Sequence, residues 1–126
     1  MADKATILAV YDEETALFLR KAVLQKFGFE VVTAPSASLA LEVLSRMQVD
    51  LVLSDLLMPG IPGTELARLI KQKYPALPVI VVSGVNEIPT EAGYADLFVS
   101  KLEGPEALCG HLRRVLEKTR VEQQTQ

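Results

Sequence analysis

Cysteine is nearly missing from this chain: Cys109 is the only one in 126 residues. A single thiol excludes an internal disulfide and fits a reducing compartment, so a cytoplasmic protein is expected. Histidine is as scarce. His111 stands beside the apolar stripe of the last helical stretch and reads as a solvated side chain, not a phosphoryl carrier. No apolar run approaches the roughly 20 residues needed to span a bilayer, so no membrane segment is expected. Residues 1–6 carry Asp3 and Lys4 and lack a signal-peptide pattern. Basic charge is not in excess. The net charge is −3 and the pI is near 5.2, which argues against a direct nucleic-acid face. Repeats, low-complexity tracts and internal linkers are absent too. The chain is the size of one domain. We set that domain at residues 1–118, followed by a polar, Gln-rich tail at 119–126.

What is present is a regular alternation. Short apolar runs at 7–10, 30–34, 50–54, 79–83 and 97–100 have the length and branching of buried parallel strands. Between them lie stretches with helical spacing. The first, about 15–27, places Ala16, Leu19, Val23, Leu24 and Phe27 on one face and ends at Gly28. The second opens at Pro35 and Ser36 and offers Leu39, Leu41, Val43, Leu44 and Met47 as core contacts. The third, about 64–73, buries Leu66, Ala67, Leu69 and Ile70. The last starts at Gly104 and Pro105 with a stripe of Leu108, Leu112, Val115 and Leu116. Between the fourth and fifth strands, residues 86–93 hold Pro89 and Gly93, leaving room for only a shortened fourth helix. Such alternation predicts a flavodoxin-like, doubly wound, five-stranded parallel sheet of order 2-1-3-4-5.

Four polar residues fall at the carboxyl ends of these strands, where open α/β sheets hold their ligands. Asp12 follows the first, Asp55 the third, Ser83 ends the fourth and Lys101 follows the fifth. Each alone reads as an ordinary surface acid, turn serine or solvated lysine. Together, on neighbouring strands, they converge. Two nearby carboxylates repel unless a cation lies between them, and Mg²⁺ prefers oxygen ligands and few carboxylates. A carboxylate can also act as a nucleophile toward phosphorus, and Lys and Ser suit the transferred oxygens. A nucleotide- or flavin-binding protein would need a Gly-rich phosphate loop after the first strand; residues 11–15 are acidic there instead.

The motifs ILAVYDEE (7–14), GFEVVTA (28–34), DLVLSDLLMPGIPG (50–63) and PVIVVSG (78–84), with Phe98 three positions before Lys101, resemble the response-regulator receiver domain of two-component signalling. The resemblance covers about residues 5–118. It implies Asp55 as phosphoacceptor, with Mg²⁺ held by Asp12, Asp55 and the Leu57 backbone carbonyl. It further implies Ser83 and Lys101 as phosphoryl contacts, Phe98 as the aromatic switch, and Gly84 as the small residue that leaves the site open. The implied partners are a sensor histidine kinase or phosphotransfer protein and an unidentified downstream protein. The implied role is a switch, not a turnover enzyme. The alternative is a pseudo-receiver, a constitutive binding or dimerisation module with little or no phosphorylation.

Three departures from that pattern stand out. Where the family places two acids after its first strand, Gly28 in register puts Tyr11 on the first position and Asp12 on the second. A one-residue slip would pair Asp12 with Glu13 but misplace the first helix. Leu102 follows Lys101 where the family has a cis Pro, so a trans bond is expected. Ser83 and Lys101 also stand a few positions closer than usual, a deficit that falls in 86–93. Elsewhere, Leu17 and Phe18 lie off the expected core face, and such a pair suits a partner surface or a homodimer. Cys109 reads as packed or partly exposed, and Arg113, Arg114, Lys118 and Arg120 as a solvated helix end.

Overall fold

The computed structural model describes residues 4–84 and 94–124. Five strands, β1 (Thr6–Val10), β2 (Glu30–Ala34), β3 (Leu51–Asp55), β4 (Val79–Ser83) and β5 (Leu97–Ser100), form one parallel sheet of order β2-β1-β3-β4-β5. Among the described residues four helices accompany them: α1 (Glu14–Lys26), α2 (Ala37–Arg46), α3 (Gly63–Lys73) and α4 (Gly104–Gln124). The expected sheet and its order are present. The shortened helix expected at 86–93 lies outside the described residues. The last helix continues to Gln124, past the point where the polar tail was set off. Among the described residues no helix is long and apolar enough to cross a membrane.

Alternation along the strands divides the core in two. Leu8, Val10, Val52, Val79 and Val81 pack with Ala37, Ala40 and Leu44 of α2 and Leu66, Ala67 and Ile70 of α3. Ile7, Leu51, Leu53, Ile80, Val82 and Val99 pack on the other face with Leu24 of α1 and Cys109 and Leu112 of α4. Side chains two apart on a strand share a face. Asp55 and Lys101 therefore stand in the rows of Leu51 and Val99, toward α1 and α4. Tyr11 continues the row of Ile7 toward the same layer.

Helix burial departs from expectation on all of the first three helices; on α3, Leu69 is only partly buried. On α1 the inward stripe runs Leu17, Arg20, Leu24, Phe27, so Leu17 is buried and Leu19 is exposed, the reverse of the expected arrangement. Phe18 is exposed, as expected. Apolar residues circle this helix, and the more apolar-looking face was not the one the sheet selects. On α2 the small residues Ala37 and Ala40 face the sheet with Leu44, leaving Leu39 and Met47 exposed. Alanines let this short helix approach the sheet closely, while Leu41 and Val43 pack partly buried against the same core.

Candidate functional site

Asp55 ends the central strand and is 2% exposed. Register places it opposite Val82 of β4, and Leu56 N–H donates to the Val82 carbonyl at 2.9 Å. Behind it the loop returns on Gly63, whose N–H donates to the Leu56 carbonyl at 2.8 Å. A Cβ on Gly63 would run into the Asp55 carbonyl oxygen and lie 3.1 Å from Leu56 Cα, so only glycine permits this approach. The Ser54 hydroxyl donates to the same Asp55 carbonyl at 2.9 Å. Strand, loop and hydroxyl together fix the Asp55 backbone.

Each carboxylate oxygen of Asp55 faces its own cation. Lys101 Nζ donates to Oδ2 at 3.1 Å. Arg20 Nη1 lies 3.8 Å from Oδ1. Burial lowers the pKa of the Arg20 guanidinium, while the charge of Asp55, and then Tyr11, pulls it back up. A guanidinium stays charged in either case. The Tyr11 ring centroid lies 5.6 Å from the Arg20 guanidinium and 5.2 Å from Lys101 Nζ, within cation–π range of both.

Lys101 is held by the turn that follows β5. Residues Lys101–Glu103 form one 3₁₀ turn. Ser100 Oγ accepts from Leu102 N–H at 3.1 Å, and Glu103 Oε2 accepts from Ser100 N–H at 3.2 Å, a reciprocal capping box. No peptide bond among the described residues is cis, so the bond before Leu102 is trans as expected. His111 of α4, expected to be solvated, is partly buried and lies 2.9 Å from Glu103 Oε1 through Nε2. That contact, and then the Ser100 N–H, hold the Glu103 carboxyl below the ordinary carboxylate range. Cys109 is fully buried, which pushes its thiol pKa up. Arg113 donates to the Phe27 carbonyl at 2.6 Å and stacks on Phe27 and Phe29, so it joins α4 to the end of α1 and is not merely solvated.

The remaining expected site residues are spread about this centre. Asp12 is exposed beyond β1. Glu13 caps α1, accepting from Ala16 N–H at 2.6 Å and Thr15 N–H at 3.2 Å. That use of Glu13 supports the register with Tyr11 on the first acid position. Leu57 is exposed in the loop after β3. Ser83, half-buried, pairs with Ser100 across β4 and β5 and stands in the row of Val79 and Val81. Phe98 is half-buried against the α2–α3 side of the core.

A family model, the response regulator receiver domain, matches residues 7–113. The chain belongs to the response-regulator receiver family. Relatives of this receiver domain include the response regulator protein FleR of Pseudomonas aeruginosa, 38% identical over 104 residues, covering 79% of this chain and 22% of FleR. Sensor kinase CckA of Brucella abortus is 31% identical over 126 residues, covering 94% of this chain and 13% of CckA. The chain thus spans only a minor part of either of these two relatives. A receiver domain protein of Clostridium thermocellum superposes with a TM-score of 0.87 at 26% identity, covering 93% of this chain and 98% of that one. NtrX of Brucella abortus gives 0.89 at 29% identity, covering 98% of this chain and 29% of NtrX.

Membership of this family implies Mg²⁺ at the receiver site, and the donors present fit it poorly. The first acid position holds Tyr11, a phenol in place of a carboxylate. Asp12 is exposed, Asp55 already faces two cations, and no three acids, histidines or cysteines cluster for a metal among the described residues. Arg20 is the site residue that sequence reasoning missed. Its signal was a charge at the fourth position of the Leu17–Leu24 stripe, visible only once Leu17 is assigned to the core.

Proposed function

We propose that this receiver domain, residues 1–118, accepts a phosphoryl group on Asp55 from a partner's phosphohistidine and thereby changes its affinity for a downstream protein. The observation that carries the reading is a buried carboxylate at the end of the central strand with an ammonium on one oxygen at 3.1 Å. In the transfer, an Asp55 oxygen forms the new O–P bond as the donor's N–P bond breaks. That electron pair stays on the imidazole nitrogen. Lys101 offsets the charge on the transferred oxygens, and the Ser83 hydroxyl supplies a hydrogen bond to one of them. Phe98, half-buried at the edge strand, is the aromatic whose repacking carries the change outward.

In this role the domain is a switch that is charged and discharged, not a turnover enzyme. The donor is a sensor histidine kinase or a phosphotransfer protein, met in the cytoplasm. Asp12, Asp55 and the Leu57 carbonyl are where the resemblance puts Mg²⁺, and no step above passes through it. Incubation with a small acyl phosphate followed by intact-mass measurement tests the reading. One phosphoryl adduct is expected on the wild-type chain and none on Asp55→Asn. An adduct of equal yield on Asp55→Asn overturns the assignment. Absence of any adduct from every donor favours the constitutive pseudo-receiver.

A further inference from the structure

Arg20 is an odd residue for its place. It sits on the inward stripe of α1, with its side chain 16% exposed. Its Nη1 is buried and makes no hydrogen bond among the described residues, although a carboxylate oxygen lies 3.8 Å away. A separation of 3.8 Å is an ion pair without a hydrogen bond. The guanidinium therefore keeps a donor in reserve at the edge of the site. It also lies over the Tyr11 ring, which faces Lys101 as well.

Two cations, Arg20 and Lys101, face the Asp55 carboxylate. A phosphorylated side chain carries about two negative charges near neutral pH. Both cations are placed to meet that added charge. The pocket is thus electrostatically prepared for the charged form of Asp55, and adding a divalent cation to it would meet repulsion from both Arg20 and Lys101. A guanidinium also presents several donors in a planar fork that matches phosphoryl oxygens.

We propose that Arg20 is a built-in cation of the phosphoacceptor site, binding the phosphoryl oxygens on Asp55 so that the site is charged without a divalent metal. This rests on the proposed phosphorylation of Asp55 for its second half. Its first half, the exclusion of metal by Arg20, stands apart from it. Arg20 differs from Lys101 in that it comes from α1, so the proposal adds a helix to the elements that contact the transferred group.

The experiment has two arms on the full chain. The first is a Mg²⁺ titration followed by the amide resonances of residues 55–57, on the wild type, Arg20→Gln and Arg20→Lys. Arg20→Gln should bind Mg²⁺ at least roughly tenfold more tightly than the wild type, and Arg20→Lys should resemble the wild type. The second arm measures the rate of adduct formation from a small acyl phosphate in excess chelator and in millimolar Mg²⁺. The wild-type rate should be the same within about twofold in both. The Arg20→Gln rate should fall roughly tenfold in chelator and recover with Mg²⁺. The same Mg²⁺ response in wild type and Arg20→Gln overturns the proposal, and so does a wild-type adduct that needs Mg²⁺. If no adduct forms under any condition while Arg20→Gln still gains Mg²⁺, phosphorylation of Asp55 fails and the metal-excluding role of Arg20 is supported.

Discussion

At the scale of single residues, Tyr11 and Gly63 decide what the receiver site can hold and how closely it is built. Tyr11 faces both site cations, so Tyr11→Asp restores a carboxylate where their charge is felt. The substitution puts a carboxylate in place of a phenol. Mg²⁺ affinity should rise by roughly tenfold. Glu13→Gln should leave Mg²⁺ affinity unchanged, since that side chain is occupied at the α1 N-terminus. Unchanged affinity in Tyr11→Asp together with loss in Glu13→Gln would reverse the register. Gly63→Ala forces a methyl group against the Asp55 carbonyl and should destabilise the domain by about 1–3 kcal/mol in denaturant unfolding. Stability equal to wild type would mean the loop yields freely. Asp55, Lys101 and Tyr11 were legible in the sequence because strand ends and motif spacing mark them. Arg20 was not, because its role depends on which face of α1 the sheet selects.

At the scale of elements, the strands were read at nearly their full bounds and the helices less well. A strand buried on both faces is a continuous apolar run, as in Leu51–Leu53, and leaves little choice of face. A helix such as α1, apolar on several sides, offers more than one stripe, and docking alone separates Leu17 from Leu19. The turn after β5 was read only as a missing Pro. Its actual device is the capping box between Ser100 and Glu103, tied to α4 through His111. This tie has a pH dependence whose sign follows from the lowered pKa of Glu103. The folded carboxyl titrates below its unfolded value, about 4.3, so its stabilising contribution is present above that value. It is lost as pH falls through the lower folded value. Glu103→Gln should therefore flatten the acid side of the stability curve below about pH 4.3 and leave Lys101 less firmly placed. An unaltered acid limb in urea unfolding would show that the tie contributes nothing.

At the scale of the whole molecule, the alternation of strands and helices carried the fold. The order β2-β1-β3-β4-β5 puts β1, β3, β4 and β5 side by side, so their carboxyl ends bring Tyr11, Asp55 and Lys101 to one edge. Simple repulsion between Asp12 and Asp55 would make Asp55→Asn stabilising. The structure argues the opposite, because Asp55 is the counter-charge for Arg20 and Lys101. Asp55→Asn should lower stability by about 1–3 kcal/mol, and a raised unfolding midpoint would contradict that balance of charge. The central claim is that Asp55 carries the phosphoryl group, and its chemistry offers a direct reading. Hydroxylamine cleaves an acyl phosphate and leaves a hydroxamate on the same side chain, which peptide mass spectrometry locates. After treatment with a small acyl phosphate and then hydroxylamine, the hydroxamate should fall on Asp55 alone and depend on the phosphodonor. A hydroxamate on Asp12 or another acid, or none at all, would contradict the account.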